Sequence, residues 1–464
     1  MTTLHQELLY DTIAGLSERI RSRRISPVEI TQMLLERIET LNPRLNAYVT
    51  VTADLALAQA KAAEVEIMKG EYRGPLHGIP IAHKDIYNTQ GIRTAVGSKI
   101  LETFVPDTDA TVVRKLGEAG AVLLGKVQTH EFAAGTLTNS PHFGPCRNPW
   151  NLEKSPGGSS GGSGSAVAAG LAYMGTGTDT GGSVRIPAAA CGIVGLKPTY
   201  GRVSRHGIFP LSWSLDHAGP LTRSTQDAAI CLQAMAGYDP LDDTSADVSV
   251  PDFTGMLRGD LYGITIGIPS SFYYDGIDPE VEAALQAAMG QFKLLGANVI
   301  EVEIPLLSRV NAIGNGICMG EVASIHEKWY REQPEQYGPD VRGMIEGARL
   351  IPAVHYLQAQ RARRLLQQEY MQALSAADVL LTPTLPATAP GIHDVEISMR
   401  FAELTMPTNV TGLPSLAMPC GFSAAGMPIS MQLIGKPFAE AELIGIGHAY
   451  EQSTDWHFRH PELD

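Results

Sequence analysis

The stretch SPGGSSGGSGSAVAAGLAYMGTGTDTGGSVRIPAAACGIVGLKP, Ser155 to Pro198, decides how the rest of the chain is read. It contains two Gly-Gly-Ser sites, Gly157-Gly158-Ser159 and Gly181-Gly182-Ser183. Glycine at this density costs conformational entropy on folding, so a compensating reason is required. One such reason is close approach of backbone to a ligand, with N–H groups turned toward an anion. A serine in that setting is a candidate nucleophile beside its own oxyanion hole. The stretch reads as a loop over Pro156–Ser160, a helix of small residues over Ser163–Leu171 and a strand over Tyr173–Thr178. Asp179-Thr180-Gly181-Gly182 then turns into a helix beginning near Ser183. A serine at a helix start sits in the positive end of the peptide dipoles, and the N–H groups of Gly181, Gly182 and Ser183 are available to an oxyanion.

Upstream stands GPLHGIPIAHKD, Gly74 to Asp85. Ile79–Ile86 reads as a short apolar strand with Lys84 near its end. Taken alone, Lys84 would be a surface residue at a strand terminus. The resemblance named next reverses that reading; with Ile81, Ala82 and Ile86 as apolar neighbours, burial disfavours the ammonium, as a lysine base requires. GGSSGGS, followed by GTDTGGSVRIPAAACGIVGLKPTYGRVS and preceded by the lysine segment, resembles the signature of the amidase signature family. The resemblance is ordered along the chain and is sharpest between Gly74 and Pro220.

That resemblance implies an α/β fold with a mixed, twisted central sheet covered by helices on both faces. It implies hydrolysis of a C–N acyl bond, in an amide, anilide or carbamate, through an acyl-Ser183 intermediate. In the roles it implies, Ser183 attacks the carbonyl carbon, Ser159 (preceded by a cis peptide) relays the proton, and neutral Lys84 is the base. Thr180, Gly181, Gly182 and Ser183 supply the oxyanion hole. Ala133, Ala134 and Gly135 belong to a segment that lines the acyl side of the site, although their residue types alone would pass for ordinary core. Asp179 and Arg185 flank Ser183 as an ion pair bracing the turn, and Ser214–Pro220 brace the sheet. The mostly helical Arg309–Arg364 region shapes the leaving-group side.

Several competing patterns are weaker. Gly158-Ser159-Ser160-Gly161-Gly162 satisfies G-x-S-x-G, but the nucleophile elbow needs a strand directly before it, and Asn148–Ser155 is polar and proline-bearing. His217 beside Asp216 offers a second set of partners for Ser183. Gly120 to Lys126 spells G-x-x-x-x-G-K, but Val127 replaces the hydroxyl residue and the intervening run is strand-like. A second function in the same family is the glutamine-hydrolysing A-type subunit of a tRNA-dependent amidotransferase, which passes ammonia to a partner. Ala402 and Glu403 lie near, but displaced from, the place where such subunits put an acid for glutamine. A non-catalytic small-molecule-binding relative is a third reading, against which the intact Lys84, Ser159 and Ser183 set argues.

Composition sets the outer bounds. A length of 464 residues alone suggests roughly two to four domains. No repeats or linkers break the chain, so a single domain over 1–464 is expected. It comprises N-terminal helices over 1–70, the catalytic core over 74–220 and a more variable substrate-side region over 240–400. The formal net charge of −14 argues against nucleic acid as a partner. A small-molecule amide or carbamate is the expected partner, and a homodimer is left open. Five scattered cysteines without a C-x-x-C pair argue against disulfides and structural zinc, and no H-E-x-x-H pattern calls for a metal. No cofactor, membrane span or signal segment is read, and a cytoplasmic enzyme is expected.

Overall fold

Ser26 and Pro27 start the first long helix, and the side chains show why. Ser26 Oγ accepts from the Val28 N–H, Glu29 Oε2 accepts from the Ser26 N–H, and Pro27 needs no donor there. Ile30, Leu34, Ile38, Leu41 and Leu45 then share the buried face of Pro27–Leu45. The computed structural model describes residues 7–463 and leaves the side chains of 395–399 undescribed.

In chain order the strands are β1 (Tyr48–Val51), β2 (Pro80–Lys84), β3 (Val122–Val127), β4 (Asn139–Ser140), β5 (Gly144–Pro145), β6 (Met174–Asp179), β7 (Val194–Lys197), β8 (His217–Thr222), β9 (Thr265–Pro269), β10 (Asn298–Val302), β11 (Val379–Pro383), β12 (Ser415–Phe422) and β13 (Pro428–Gly435). Among the described residues, β4 and β5 pair with each other and the other eleven form one sheet in the order β1-β3-β2-β6-β8-β7-β12-β13-β11-β9-β10. The sheet is mixed: β2 runs parallel to β3 and β6, β9 runs parallel to β10 and β11, and β6, β8, β7, β12, β13 and β11 alternate antiparallel. Every residue of β2, β3, β6, β7, β8, β11 and β13 is buried. A strand buried at each position has both faces covered, which is the helix-on-both-faces arrangement the family resemblance implies.

Two elements differ from the sequence reading. The expected all-helical start contains β1, where Tyr48-Val49-Thr50-Val51 is a β-branched and aromatic run that pairs antiparallel with β3. The helix expected near Ser183 begins at Arg185 and runs to Cys191.

The glycines of the signature stretch answer to close packing. A β-carbon at Gly162 would lie 2.3 Å from Gln128 N, so the helix Gly161–Ala168 can sit against the end of β3 only because that atom is missing. Gly182 has φ +130°, a conformation that L side chains rarely adopt, and a β-carbon there would collide with Thr405. All five cysteines are buried and unpaired. Among the described residues, no helix is long and apolar enough to cross a membrane.

Candidate active site

Because β2 and β6 are parallel neighbours, their carboxyl ends lie at the same edge of the sheet, the edge where open α/β sheets hold ligands. Lys84 is the last residue of β2 and Asp179 the last of β6. Strand alternation turns Thr176 and Thr178 of β6 toward the lysine: the Lys84 N–H donates to Thr176 Oγ1 (3.0 Å), and Lys84 Nζ donates to Thr178 Oγ1 (2.9 Å). Lys84 Nζ also donates to Ser159 Oγ at 2.8 Å. The Gly158–Ser159 peptide is cis. The Ser160 N–H donates to the Ser183 carbonyl (3.3 Å), which brings the two Gly-Gly-Ser loops together.

Lys84 and Ser159 are fully buried. Burial pushes the lysine down from its usual range to about 7, against the opposing pull of the Asp216 and Asp179 carboxylates. A lysine so placed has a substantial neutral fraction near pH 7. The same 2.8 Å contact then allows it to accept the Ser159 proton.

Ser183 lines a cavity of ≈ 750 Å³, whereas Lys84 and Ser159 do not. Thr180, Gly181, Ala133, Ala134 and Gly135 line the cavity beside it. The opposite side comes from three later elements. Helix Val310–Glu332 gives Asn311 and Asn315, helix Pro339–Ala348 gives Asp340 and Gly343, and helix Val395–Thr411 gives Ala402 and Glu403. His130 Nε2 lies 2.9 Å from Asp340 Oδ2, pinning one of these walls to the core.

Asp179 and Arg185 form a wholly buried pair, with Arg185 Nη2 and Nε donating to the two carboxylate oxygens at 2.9 and 3.0 Å. Burial alone would raise the Asp179 carboxyl, but the Arg185 guanidinium holds it well below the usual carboxylate range. Asp179 also accepts from the N–H groups of Gly182 (2.8 Å) and Val184 (3.1 Å), so it shapes the turn that presents Ser183. The Gly182 N–H is thereby committed to Asp179. Among the described residues, the amides of Thr180, Gly181 and Ser183 have no such acceptor. Arg185 reaches Thr408, Asn409 and Gln432 as well, tying the turn to the C-terminal third of the chain. Removing one partner from such a pair leaves an unpaired buried charge, at a cost of roughly 3–5 kcal/mol. Arg185→Leu should therefore lower unfolding stability by about that amount in urea titration. A change under ~1 kcal/mol would show that the pair does not brace the turn.

The competing serine and histidine sets are not assembled. Ser160 Oγ donates to the Thr178 carbonyl, and the Asp216 carboxylate takes Thr180 Oγ1 (2.6 Å) and the Leu211 and Ser212 N–H groups instead of His217. His217 Nδ1 faces the carbonyls of Leu215 (2.7 Å) and Asp179 (3.2 Å). Lys126 of the false phosphate loop is buried and donates to Tyr87 O, Thr89 and Thr94. Thr178 and Asp340 escaped the sequence reading. The period-two Thr176/Thr178 pair just before Asp179 is the signal that could have found the first.

The family model Amidase matches residues 29–444. The chain is 42% identical over 480 residues to the A-type subunit of Glutamyl-tRNA(Gln) amidotransferase from Geobacter sp. strain M21, covering 97% of this chain and 99% of that protein. It is 43% identical over 484 residues to the same subunit from Moorella thermoacetica, covering 98% and 99%. Among solved structures, a protein complex described as revealing the evolutionary origins of an s-triazine catabolic enzyme superposes with TM-score 0.91 at 34% identity over 96% of this chain and 98% of that one. The A-type subunit of Glutamyl-tRNA(Gln) amidotransferase from Thermotoga maritima gives 0.85 at 34% identity over 98% of each chain. Native peptide amidase from Stenotrophomonas maltophilia gives 0.88 at 33%, also over 98% of each. The amidotransferase relatives correct the partner expectation of no nucleic acid, a small amide or carbamate and at most a second copy. Net charge is a sum over the whole surface and does not decide which partners a chain or its assembly takes.

Proposed function

This chain belongs to the amidase family, and from that premise we propose that it is the amide-hydrolysing subunit of an amidotransferase of the kind its relatives belong to. It frees ammonia from an amide donor, while a partner protein handles the acceptor, which is a tRNA in those relatives. The Lys84–Ser159 contact of 2.8 Å, buried directly behind a cavity that Ser183 lines, is the observation that carries the hydrolytic half. Full-length likeness to the amidotransferase relatives supports the assembly half.

In this reading Ser183 Oγ bonds to the amide carbon. Its proton passes to Ser159 Oγ as the Ser159 proton passes to neutral Lys84 Nζ. The Thr180, Gly181 and Ser183 N–H groups hold the oxyanion. Collapse breaks the C–N bond as Lys84 returns a proton through Ser159 to the departing nitrogen, releasing ammonia. Water then cleaves acyl-Ser183 by the same relay. The test is ammonia release from primary amides by the full chain, purified alone and with the proteins that co-purify with it. Release that increases in the presence of a co-purifying protein is expected. No ammonia and no adduct with a fluorophosphonate in either preparation would leave the non-catalytic binding reading standing.

A further inference from the structure

The hydroxyl of Thr180 is held from behind the cavity wall: Oγ1 donates to Asp216 Oδ1 at 2.6 Å. Thr180 lines the Ser183 cavity, and Asp216 does not. The sheet places the two together. β6 and β8 run antiparallel with Asp179 opposite His217, so Thr180 and Asp216 are the next residues off the two strand ends. The buried carboxylate also accepts from the N–H groups of Leu211 (2.9 Å) and Ser212 (3.0 Å). Ser212 Oγ in turn donates to Glu321 Oε2 at 2.6 Å, and Glu321 stands on helix Val310–Glu332, whose Asn311 and Asn315 line the cavity. Asp216 therefore joins Thr180 to the opposite wall.

Neutral donors surround the Asp216 oxygens, and among the described residues no cation lies within ion-pair distance of them. Arg205, the cation that acts on this carboxylate, lies 3.9 Å from Asp242 Oδ1 instead and donates to Thr244 Oγ1 at 2.5 Å. Burial keeps the neighbouring Cys318 and Tyr200 protonated and His217 neutral, and Glu321 carries the same sign, so none of them offsets the charge. Lys84 is pushed down by burial, and Asp216 opposes that push more strongly than Asp179, which Arg185 already pairs. Granted the amidase reading of Ser183, we infer that Asp216 is a positioning residue for this reaction: it fixes Thr180 in the oxyanion hole, and its uncompensated charge acts on Lys84 from outside the cavity. Neither action touches the substrate.

The two actions separate in the rate at which a fluorophosphonate labels Ser183 of the full-length protein, followed by intact mass from about pH 5 to about pH 9. Asp216→Asn keeps the shape and an acceptor oxygen for Thr180 but removes the charge, so the midpoint of the profile should fall by about half a pH unit or more. Thr180→Val removes the hydroxyl and keeps the N–H. Its limiting labelling rate on the high-pH plateau should fall about tenfold, with the half-saturating probe concentration and the midpoint held, and Thr180→Ser should restore it. A midpoint and a first-order limiting rate do not depend on how much of a variant folds, so partial loss of the fold cannot imitate either result. A midpoint in Asp216→Asn that stays at the wild-type pH or rises, or Thr180→Val that labels at the wild-type rate, would overturn the inference while the amidase reading stood. Wild-type protein that takes up no fluorophosphonate would overturn the amidase reading, and this inference with it.

Discussion

Ser183→Ala should abolish ammonia release, with a loss of roughly 10⁴–10⁶-fold in kcat, and should remove the single fluorophosphonate adduct seen by intact-mass spectrometry. Both effects follow from one hydroxyl. Of Lys84, Ser159 and Ser183, only Ser183 lines the cavity, so only it can receive an electrophile of that size. Ser160 provides the control. Its hydroxyl is held by the β6 backbone at Thr178, and Ser160→Ala should keep the adduct. An adduct that survived Ser183→Ala and vanished with Ser160→Ala would reverse the assignment.

Lys84→Met should cost about 10²–10⁴-fold in kcat/KM, with the adduct at Ser183 slowed by a similar factor. The pH profile carries the sharper prediction. Lys84 acts only as the neutral amine, and burial places its titration at about 7. Activity should therefore be low at pH 5, rise through about 7 and level off above it, as the ammonium is lost. A carboxylate base would give a rise in the same direction but with its midpoint at far lower pH, holding activity at pH 5. Full activity at pH 5 would exclude Lys84 as the base. Thr178→Val tests the environment that sets this value, because it deletes one of the two hydroxyls that meet Lys84 Nζ. Losing an acceptor for the ammonium should move the midpoint of the profile downward.

The signature stretch and the lysine segment disclosed the reaction class, and the reason is local. Close backbone approach can be met only by glycine, so Gly157-Gly158-Ser159 and Gly181-Gly182-Ser183 are visible without any knowledge of the fold. Lys84 was legible only through the family resemblance of Gly74–Asp85, since a lysine at the end of a short strand reads on its own as a surface residue. The helices were legible where capping was local, as at Ser26-Pro27-Val28-Glu29. The strand β1 was hidden because Tyr48–Val51 owes its conformation to β3, a partner far along the chain.

What the sequence by itself determined is therefore the family: two Gly-Gly-Ser loops and a lysine segment match its signature, and the roles proposed for Ser183, Ser159 and Lys84 follow from that resemblance. The tertiary structure alone decided the surroundings of that chemistry. It committed the Gly182 N–H to Asp179, placed Thr178 on the lysine, bound Arg185 to Asn409 and Gln432, and walled the cavity with Asn311, Asp340 and Glu403 from three later helices. The physical reason is range: backbone strain and burial act over a few residues and leave their mark in composition, whereas hydrogen-bond partners and cavity charge come from segments that meet only when the sheet is assembled.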